Sequence, residues 1–307
     1  MKTVLVAGAS GLVGKSIVAL LKKNGFTVHT LSNSLPTDSA KQRFHWSPDT
    51  GNIDSRCFDG INHVVNLSGA GLFEHWWTKA YKEKIIKSRV LSTKLLVDTI
   101  VKHNYPVQTF INASATGIYG ADTGDIRLNE TSETGHDFLA DVVKQWEQSL
   151  FQAKELKARK VCLRFGIVLS DQGGALTQMA APVRYGFGSP LGSGKQYVSW
   201  IHIEDLSRMI LFAIEHSEIK GAYNAVAPEP VTNENMTNEI AHQLHKKLWM
   251  PNVPAFALNL ALGKEKASMV LGGNRVENKK IMDAGFNFEY KTLPEALYSF
   301  FSSKNNV

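Results

Sequence analysis

The sequence predicts an α/β fold: a doubly wound parallel sheet with a small C-terminal lobe. Three observations carry that expectation. The chain opens on Thr3-Val-Leu-Val-Ala7, five apolar or β-branched residues in a row, which marks a strand buried on both faces. Three glycines follow at a spacing of three, Gly8, Gly11 and Gly14, and Lys15-Ser-Ile-Val-Ala-Leu-Leu-Lys-Lys23 then starts a helix that stops at Asn24-Gly25. From there short apolar runs alternate with helical stretches to residue 170, the rhythm of right-handed crossover units.

Strand, glycine turn and helix together make a Rossmann-like phosphate-binding turn. Gly8 allows the tight bend, Gly11 lets backbone approach a pyrophosphate, and Gly14 lets the helix pack close on the strand. Ser10, Leu12 and Val13 complete the turn, where the helix N-terminus offers free N–H groups and the positive end of its dipole. The second strand is expected over Phe26–Leu31. Where an NAD-binding turn carries an acid for the ribose 2′-hydroxyl, this chain has Ser32 and Asn33, with no acid before Asp38. The missing acid removes a repulsion against a 2′-phosphate, which favours NADP(H) over NAD(H). Ser32, Asn33, Lys41 and Arg43 are the candidate phosphate contacts, and each also fits as loop surface.

The remaining elements follow in order. Arg43–Trp46 reads as a third strand and Ser47–Asn52 as a turn. Ile61–Leu67 is the fourth strand, ending in Ser68-Gly-Ala-Gly71, small residues that leave room for a ligand or make a plain turn. Thr78–His103 is a long helix, with Ile86, Val90, Val97 and Val101 beside Leu91 and Leu95 as its expected buried face. Thr109–Ala113 is the fifth strand, Asp137–Lys157 a helix and Arg159–Leu169 the sixth strand. After residue 170 the chain turns glycine-dense, with short strands at Trp200–Ile203 and Ala222–Val226. Asp205 is expected to cap or open a helix, and a further helix begins at Asn233. The expected division is a cofactor domain over 1–170 and a substrate-side lobe over 171–307, with residues near 199–228 returning to the first domain.

Composition narrows the function classes. The 307 residues are 43% hydrophobic and 20% charged, ordinary for a globular protein. The net charge of +6 is scattered over helical stretches, mostly with acids close by, so no nucleic-acid partner is expected. Two cysteines, Cys57 and Cys162, make neither a disulfide framework nor a zinc pattern. Met1-Lys2 leads straight into the first strand and no apolar run approaches membrane length, so a cytoplasmic protein without membrane contact is expected.

Several stretches together resemble one group, the atypical extended short-chain dehydrogenase/reductases known as epimerase family proteins. They are Gly8–Gly14, Asn66-Leu-Ser-Gly69, Ser88-Arg-Val90, Ser114-Ala-Thr-Gly-Ile-Tyr-Gly120 and Leu163-Arg-Phe-Gly-Ile-Val-Leu169. Ser199-Trp-Ile-His-Ile-Glu-Asp205 and Asn224-Ala-Val-Ala-Pro-Glu-Pro230 are the most distinctive. The resemblance spans nearly the whole chain and implies NADP(H) binding with a small C-terminal lobe. It adds Leu67, Ser68, Gly69, Phe165 and Gly166 to the expected cofactor contacts. Arg89 joins them, standing where the superfamily often has Asn. A buried Arg beside a cofactor is costly unless paired, so a pyrophosphate or ribose contact accounts for it, as does a surface Arg with its stem packed down.

Superfamily chemistry uses a Tyr as acid/base with a Lys four residues on. None of the eight tyrosines here has that Lys. Registering the helix on Glu147 puts Leu139 and Val143 in the two places. Ser114 and Tyr119 are the catalytic candidates that remain. Ala115 takes Ser114's place if the count runs back from Tyr119, and Thr116 is another hydroxyl. His136, Asp137, His202 and Glu204 are weaker substitutes for the missing Tyr. Two functions follow: a reductase- or epimerase-like protein acting on an unidentified small carbonyl or sugar-like substrate, or an NADP(H)-binding sensor without turnover. Monomer and homodimer are equally expected.

Overall fold

The computed structural model describes residues 2–34 and 42–302. Strand β1 (Thr3–Ala7) is buried at every position and pairs in parallel with β2 (Thr27–Ser32) on one side. On its other side lies β5 (Ile61–Asn66), also parallel. Five apolar or β-branched residues in a row fit this central place, because helices cover both faces of such a sheet. Outward from β2 come β3 (Arg43–Ser47) and the short antiparallel β4 (Asn52–Ile53). Outward from β5 come β6 (Thr109–Ala115), β8 (Arg159–Phe165) and β12 (Gly221–Ala225), giving the order β12-β8-β6-β5-β1-β2-β3-β4. The chain leaves β1 toward β2 and later resumes at β5, so the strand order reverses between β1 and β5. In open α/β sheets ligands bind at such a reversal, beyond the C-terminal strand ends.

The chain forms two interleaved units. The first takes Met1–Ser114, Asp141–Leu163 and Ser207–Tyr223. Its core joins Leu5, Leu31, Trp46 and Phe110 of the sheet, and Phe58 from the 3-10 turn Ser55–Phe58, with Leu96, Ile100 and Leu150 from helices α2 (Lys79–His103) and α3 (Phe138–Phe151). Each fully buried side chain of this size contributes roughly 1.5–3 kcal/mol. The second unit takes Ala115–Ala140, Arg164–Leu206 and Asn224–Val307. Trp200, Leu169, Met236, Leu297 and Phe300 are buried together there, under α4 (Ala175–Arg184), α6 (Asn233–Gln243) and the last helix, Leu293–Phe301. The chain thus passes from the first unit to the second at the ends of β6 and β8 and after Tyr223.

Two elements differ from expectation. The stretch Arg159–Leu169 is two strands, β8 and β9 (Ile167–Leu169), broken at Gly166. A side chain at Gly166 would stand 2.4 Å from the Ser199 carbonyl oxygen. Helix α2 buries Ile85, Ser92, Thr93, Leu96 and Ile100 rather than the stripe through Ile86, Val90 and Val101. Ser92 and Thr93 are buried on that face; Val97 is buried in the core as expected, while Val90 and Val101 border an open groove of about 530 Å³ shared with Gln145, Ser149 and Ala153 near α3. Asp205 lies in the first turn of the helix Ile203–Glu215 and is fully buried. It thus opens its helix as expected, and its carboxylate also accepts the backbone N–H groups of Glu289 and Tyr290, both at 2.9 Å, which ties distant chain to the helix start. No helix among the described residues is long and apolar enough to cross a membrane.

Candidate functional site

The glycine turn between β1 and α1 (Leu12–Lys23) is tight because nothing larger fits. Gly8 holds φ at +78°, and a side chain there would stand 2.8 Å from the Leu67 carbonyl group. At Gly14 it would stand 2.1 Å from the Gly8 oxygen. Gly11 donates its N–H to the same oxygen at 3.1 Å, and the first helical bond runs from Lys15 to Gly11. No side chain caps the helix and no acid stands in its first turn. The N–H groups of Leu12, Val13 and Gly14 therefore lack intrahelical acceptors at the positive end of the helix dipole, with Ser10 exposed beside them.

At the end of β2 a cation and two hydroxyls cluster. Parallel pairing sets Thr30 against Arg43 and Ser32 against His45. Arg43 Nη2 then donates to Ser32 Oγ at 2.6 Å and to Ser34 Oγ at 2.8 Å, while the Ser34 N–H donates to Ser32 Oγ at 3.2 Å. Asn33 is exposed alongside. Lys41, the other cation expected here, lies outside the described residues. Ser34 was not singled out by the sequence; it enters only because the turn after β2 folds back on Ser32.

At the end of β5 a buried amide ladder fixes the next turn. Asn66 Nδ2 donates to Asn112 Oδ1 at 2.9 Å and to Thr93 Oγ1 at 3.1 Å, and Asn66 Oδ1 accepts the Ser68 N–H at 3.2 Å. Thr93 in turn donates to the Arg89 carbonyl at 2.9 Å. Leu67, Ser68 and Gly69 are thus tied to α2, and Gly69 is small because Arg89 lies against it: a side chain would meet Arg89 Cζ at 3.0 Å. Arg89 Nη1 donates to the Ile85 carbonyl at 3.0 Å and Nη2 to the Ala70 carbonyl at 3.1 Å. Burial pulls its pKa down to about 10. Ser68 Oγ is buried without a partner. This orphaned hydroxyl and the glycine cradle fit a dinucleotide lying across the C-terminal ends of β2, β1 and β5.

Ser114 and Tyr119 fall in different units. Ser114 Oγ donates to Glu147 Oε1 at 2.6 Å, both residues being buried, so the hydroxyl ties β6 to α3. Tyr119 is 3% exposed. Its hydroxyl donates to Asn224 Oδ1 at 2.7 Å and accepts from Arg164 Nη1 at 3.0 Å, and burial pushes its pKa up. Phe165 is half-buried; the Gly166 N–H donates to the Ala225 carbonyl at 3.1 Å, and the Ser199 carbonyl leaves no room for a side chain there. Asp137 caps α3 by accepting the Ala140 N–H at 3.0 Å, and His136 is exposed. His202 is stacked between Tyr290 and Phe300 at 3.6 and 4.4 Å. Its Nδ1 accepts the Glu204 N–H, so Nε2 carries the proton toward Ser299 Oγ. Burial pushes its pKa down to about 3, and the ring is neutral.

Comparison with known proteins agrees with this arrangement. The model of the NAD dependent epimerase/dehydratase family matches residues 4–225, and a domain of unknown function, DUF1731, matches residues 253–299. An epimerase family protein of Mycobacterium leprae is 33% identical over 294 residues, covering 96% of this chain and 94% of its own. The crystal structure of human epimerase family protein SDR39U1 with NADPH superposes at a TM-score of 0.87 with 27% identity, covering 99% of this chain and all of that one. A nucleoside-diphosphate sugar epimerase of Corynebacterium glutamicum superposes at 0.80 with 33% identity, covering 98% of this chain and 58% of that one. The chain belongs to the NAD dependent epimerase/dehydratase family, in its epimerase family protein group of atypical extended short-chain dehydrogenase/reductases.

Proposed function

We propose that this protein binds NADP(H) in preference to NAD(H) and acts as a reductase- or epimerase-like protein on a small carbonyl or sugar-like substrate. The observation that carries the cofactor preference is the Arg43–Ser32–Ser34 cluster at the end of β2. A guanidinium and two hydroxyls suit the oxygens of a 2′-phosphate, and the acid that would hold a free 2′-hydroxyl and repel the phosphate is missing. The NADPH in the structure of the human relative supports the same reading. Leu12, Val13 and Gly14 would hold the pyrophosphate by backbone N–H groups. The bound cofactor supplies hydride transfer; the chain's part is to orient it and to shape the substrate's place.

Arg43→Ala tests the preference by titration. Its NADPH affinity is expected to fall by about tenfold or more, the value of a charge-assisted hydrogen bond, while NADH affinity stays within about twofold. Equal wild-type affinities for the two nucleotides would contradict the assignment. A second reading, a non-catalytic NADP(H) sensor, is favoured by one observation: the hydroxyls of Ser114 and Tyr119 are both engaged with buried partners. Oxidation of NADPH across a panel of carbonyl compounds separates the two, since a sensor consumes none.

A further inference from the structure

The helix Ala255–Leu262 reads Ala-Phe-Ala-Leu-Asn-Leu-Ala-Leu, apolar at every position but Asn259, yet none of its residues is buried. A helix that is apolar all round is ordinarily enclosed by protein. Here Phe256 is 75% exposed and Leu260 84%. The chain leading into the helix extends this surface. Trp249 Nε1 donates to the Gly186 carbonyl at 2.9 Å, which sets Trp249 beside the turn carrying Tyr185 and Phe187 after α4. The Val253 N–H donates to the Pro190 carbonyl at 2.9 Å, and the Gly192 N–H donates to the Val253 carbonyl at 2.8 Å. Segments 184–195 and 245–264 thus run side by side within the second unit. Tyr185, Phe187 and Trp249 are exposed as well. Large apolar side chains gathered at a surface in this way mark a contact site.

Charge selects the occupant. The same two segments carry Arg184, Lys195, Lys246, Lys247 and Lys264, all exposed, and no Asp or Glu, with Glu234 and Glu265 only at the margin. Five cations without an acid stand out in a chain whose whole net charge is +6. A second copy of this face would set those cations against one another, which disfavours self-association. Nucleic acid would use the cations and the rings but leave the aliphatic Met250 and Leu260 without a role. An anionic bilayer surface uses all of them: headgroup phosphates meet the lysines, the apolar helix enters the acyl boundary, and Trp and Tyr rings sit between. We propose that this face of the second unit docks on an anionic lipid bilayer, with Phe256, Leu260 and Trp249 entering the interface and Lys246, Lys247 and Lys264 at the headgroups. No helix among the described residues is long and apolar enough to span a bilayer, so the contact is confined to its surface. The expectation of no membrane contact rests on the lack of a span and does not reach a surface contact. The docking is independent of the cofactor.

Co-sedimentation of the full chain with two kinds of vesicle tests this: phosphatidylcholine alone, and phosphatidylcholine with about a third phosphatidylserine. Wild type is expected to bind the serine-containing vesicles about tenfold or more tightly than the neutral ones, and to release them as salt rises. Phe256→Ser with Leu260→Ser is expected to weaken that binding by about tenfold or more, and Lys246→Gln with Lys247→Gln by about tenfold. All four side chains are exposed, so thermal melting of both variants is expected within a few degrees of wild type. Failure of wild type to bind the serine-containing vesicles overturns the proposal, as does wild-type binding by both variants. Two other results would overturn it by naming a different occupant. One is a labelled single-stranded RNA, bound by wild type and lost in the lysine variant, with no vesicle binding. The other is a dimer in sedimentation equilibrium that Phe256→Ser with Leu260→Ser dissociates, again with no vesicle binding.

Discussion

Single residues in this protein act through close approach and through missing partners. Gly14 is the clearest case, since even a methyl group would stand 2.1 Å from the Gly8 oxygen. Gly14→Ala therefore forces the turn open, and we expect it to abolish nucleotide binding and to lower stability by about 1–3 kcal/mol, read by urea unfolding. Two buried histidines make stability depend on pH. Burial pushes His63, both of whose ring nitrogens lack partners, down to about 4, and His202 down to about 3. In the unfolded chain each takes a proton near pH 6.5, while the folded protein resists protonation until about pH 4 or below. Their stabilising effect is thus complete above pH 6.5 and is lost as the pH falls through 6.5 toward those values. Unfolding free energy is expected to drop by about 2 kcal/mol per histidine between pH 7 and pH 5. His63→Leu removes one share of that drop; an unchanged pH slope would show that His63 is not the source.

At the scale of elements, hydrogen bonds across long sequence separations set where the site stands. Ser114 and Glu147 are 33 residues apart yet join β6 to α3 at 2.6 Å. Ser114→Ala leaves the buried carboxylate short of a donor and is expected to cost about 1.5–3 kcal/mol, with NADPH affinity within about twofold of wild type. A large loss of affinity with unchanged stability would instead assign the hydroxyl to the cofactor. The same ties explain what the sequence could and could not convey. The glycine turn was legible because its residues are adjacent and sterics alone dictate them. The break at Gly166 was not, because its cause is the Ser199 carbonyl, more than thirty residues away. The face of α2 was misread because Ser92 and Thr93 are fully buried there, while Val101 stays exposed. Hydrophobic periodicity gives no sign of a buried hydroxyl that bonds its own helix backbone.

For the whole molecule, the sheet order and the interleaved units decide what each segment does. The doubly wound architecture was legible from the alternation of strands and helices, but the points where the chain changes unit were not. They fall within continuous stretches such as Arg159–Phe165, which carry no composition shift. Candidate site residues divide along the same line. Those before residue 70, together with Arg89, lie along the C-terminal ends of β1, β2 and β5, whereas Tyr119, Phe165 and Gly166 belong to the other unit. Arg43 and Ser34 became a pair only through the register of β2 and β3.

We propose that a dinucleotide sits on the turn between β1 and α1. Fluorescence titration of NADPH onto wild type and Gly11→Asp, alongside thermal melting of both, tests it most directly. Gly11 is the N-cap of α1 with φ at −72°, a backbone conformation open to Asp; its Cβ would stand 3.3 Å from the Gly8 carbonyl oxygen, a small crowding that the favourable Asp N-cap offsets. The variant is expected to melt within a few degrees of wild type while its carboxylate, placed where the pyrophosphate would lie, abolishes NADPH binding. Undiminished NADPH binding by a stably folded Gly11→Asp would show that no pyrophosphate lies on this turn.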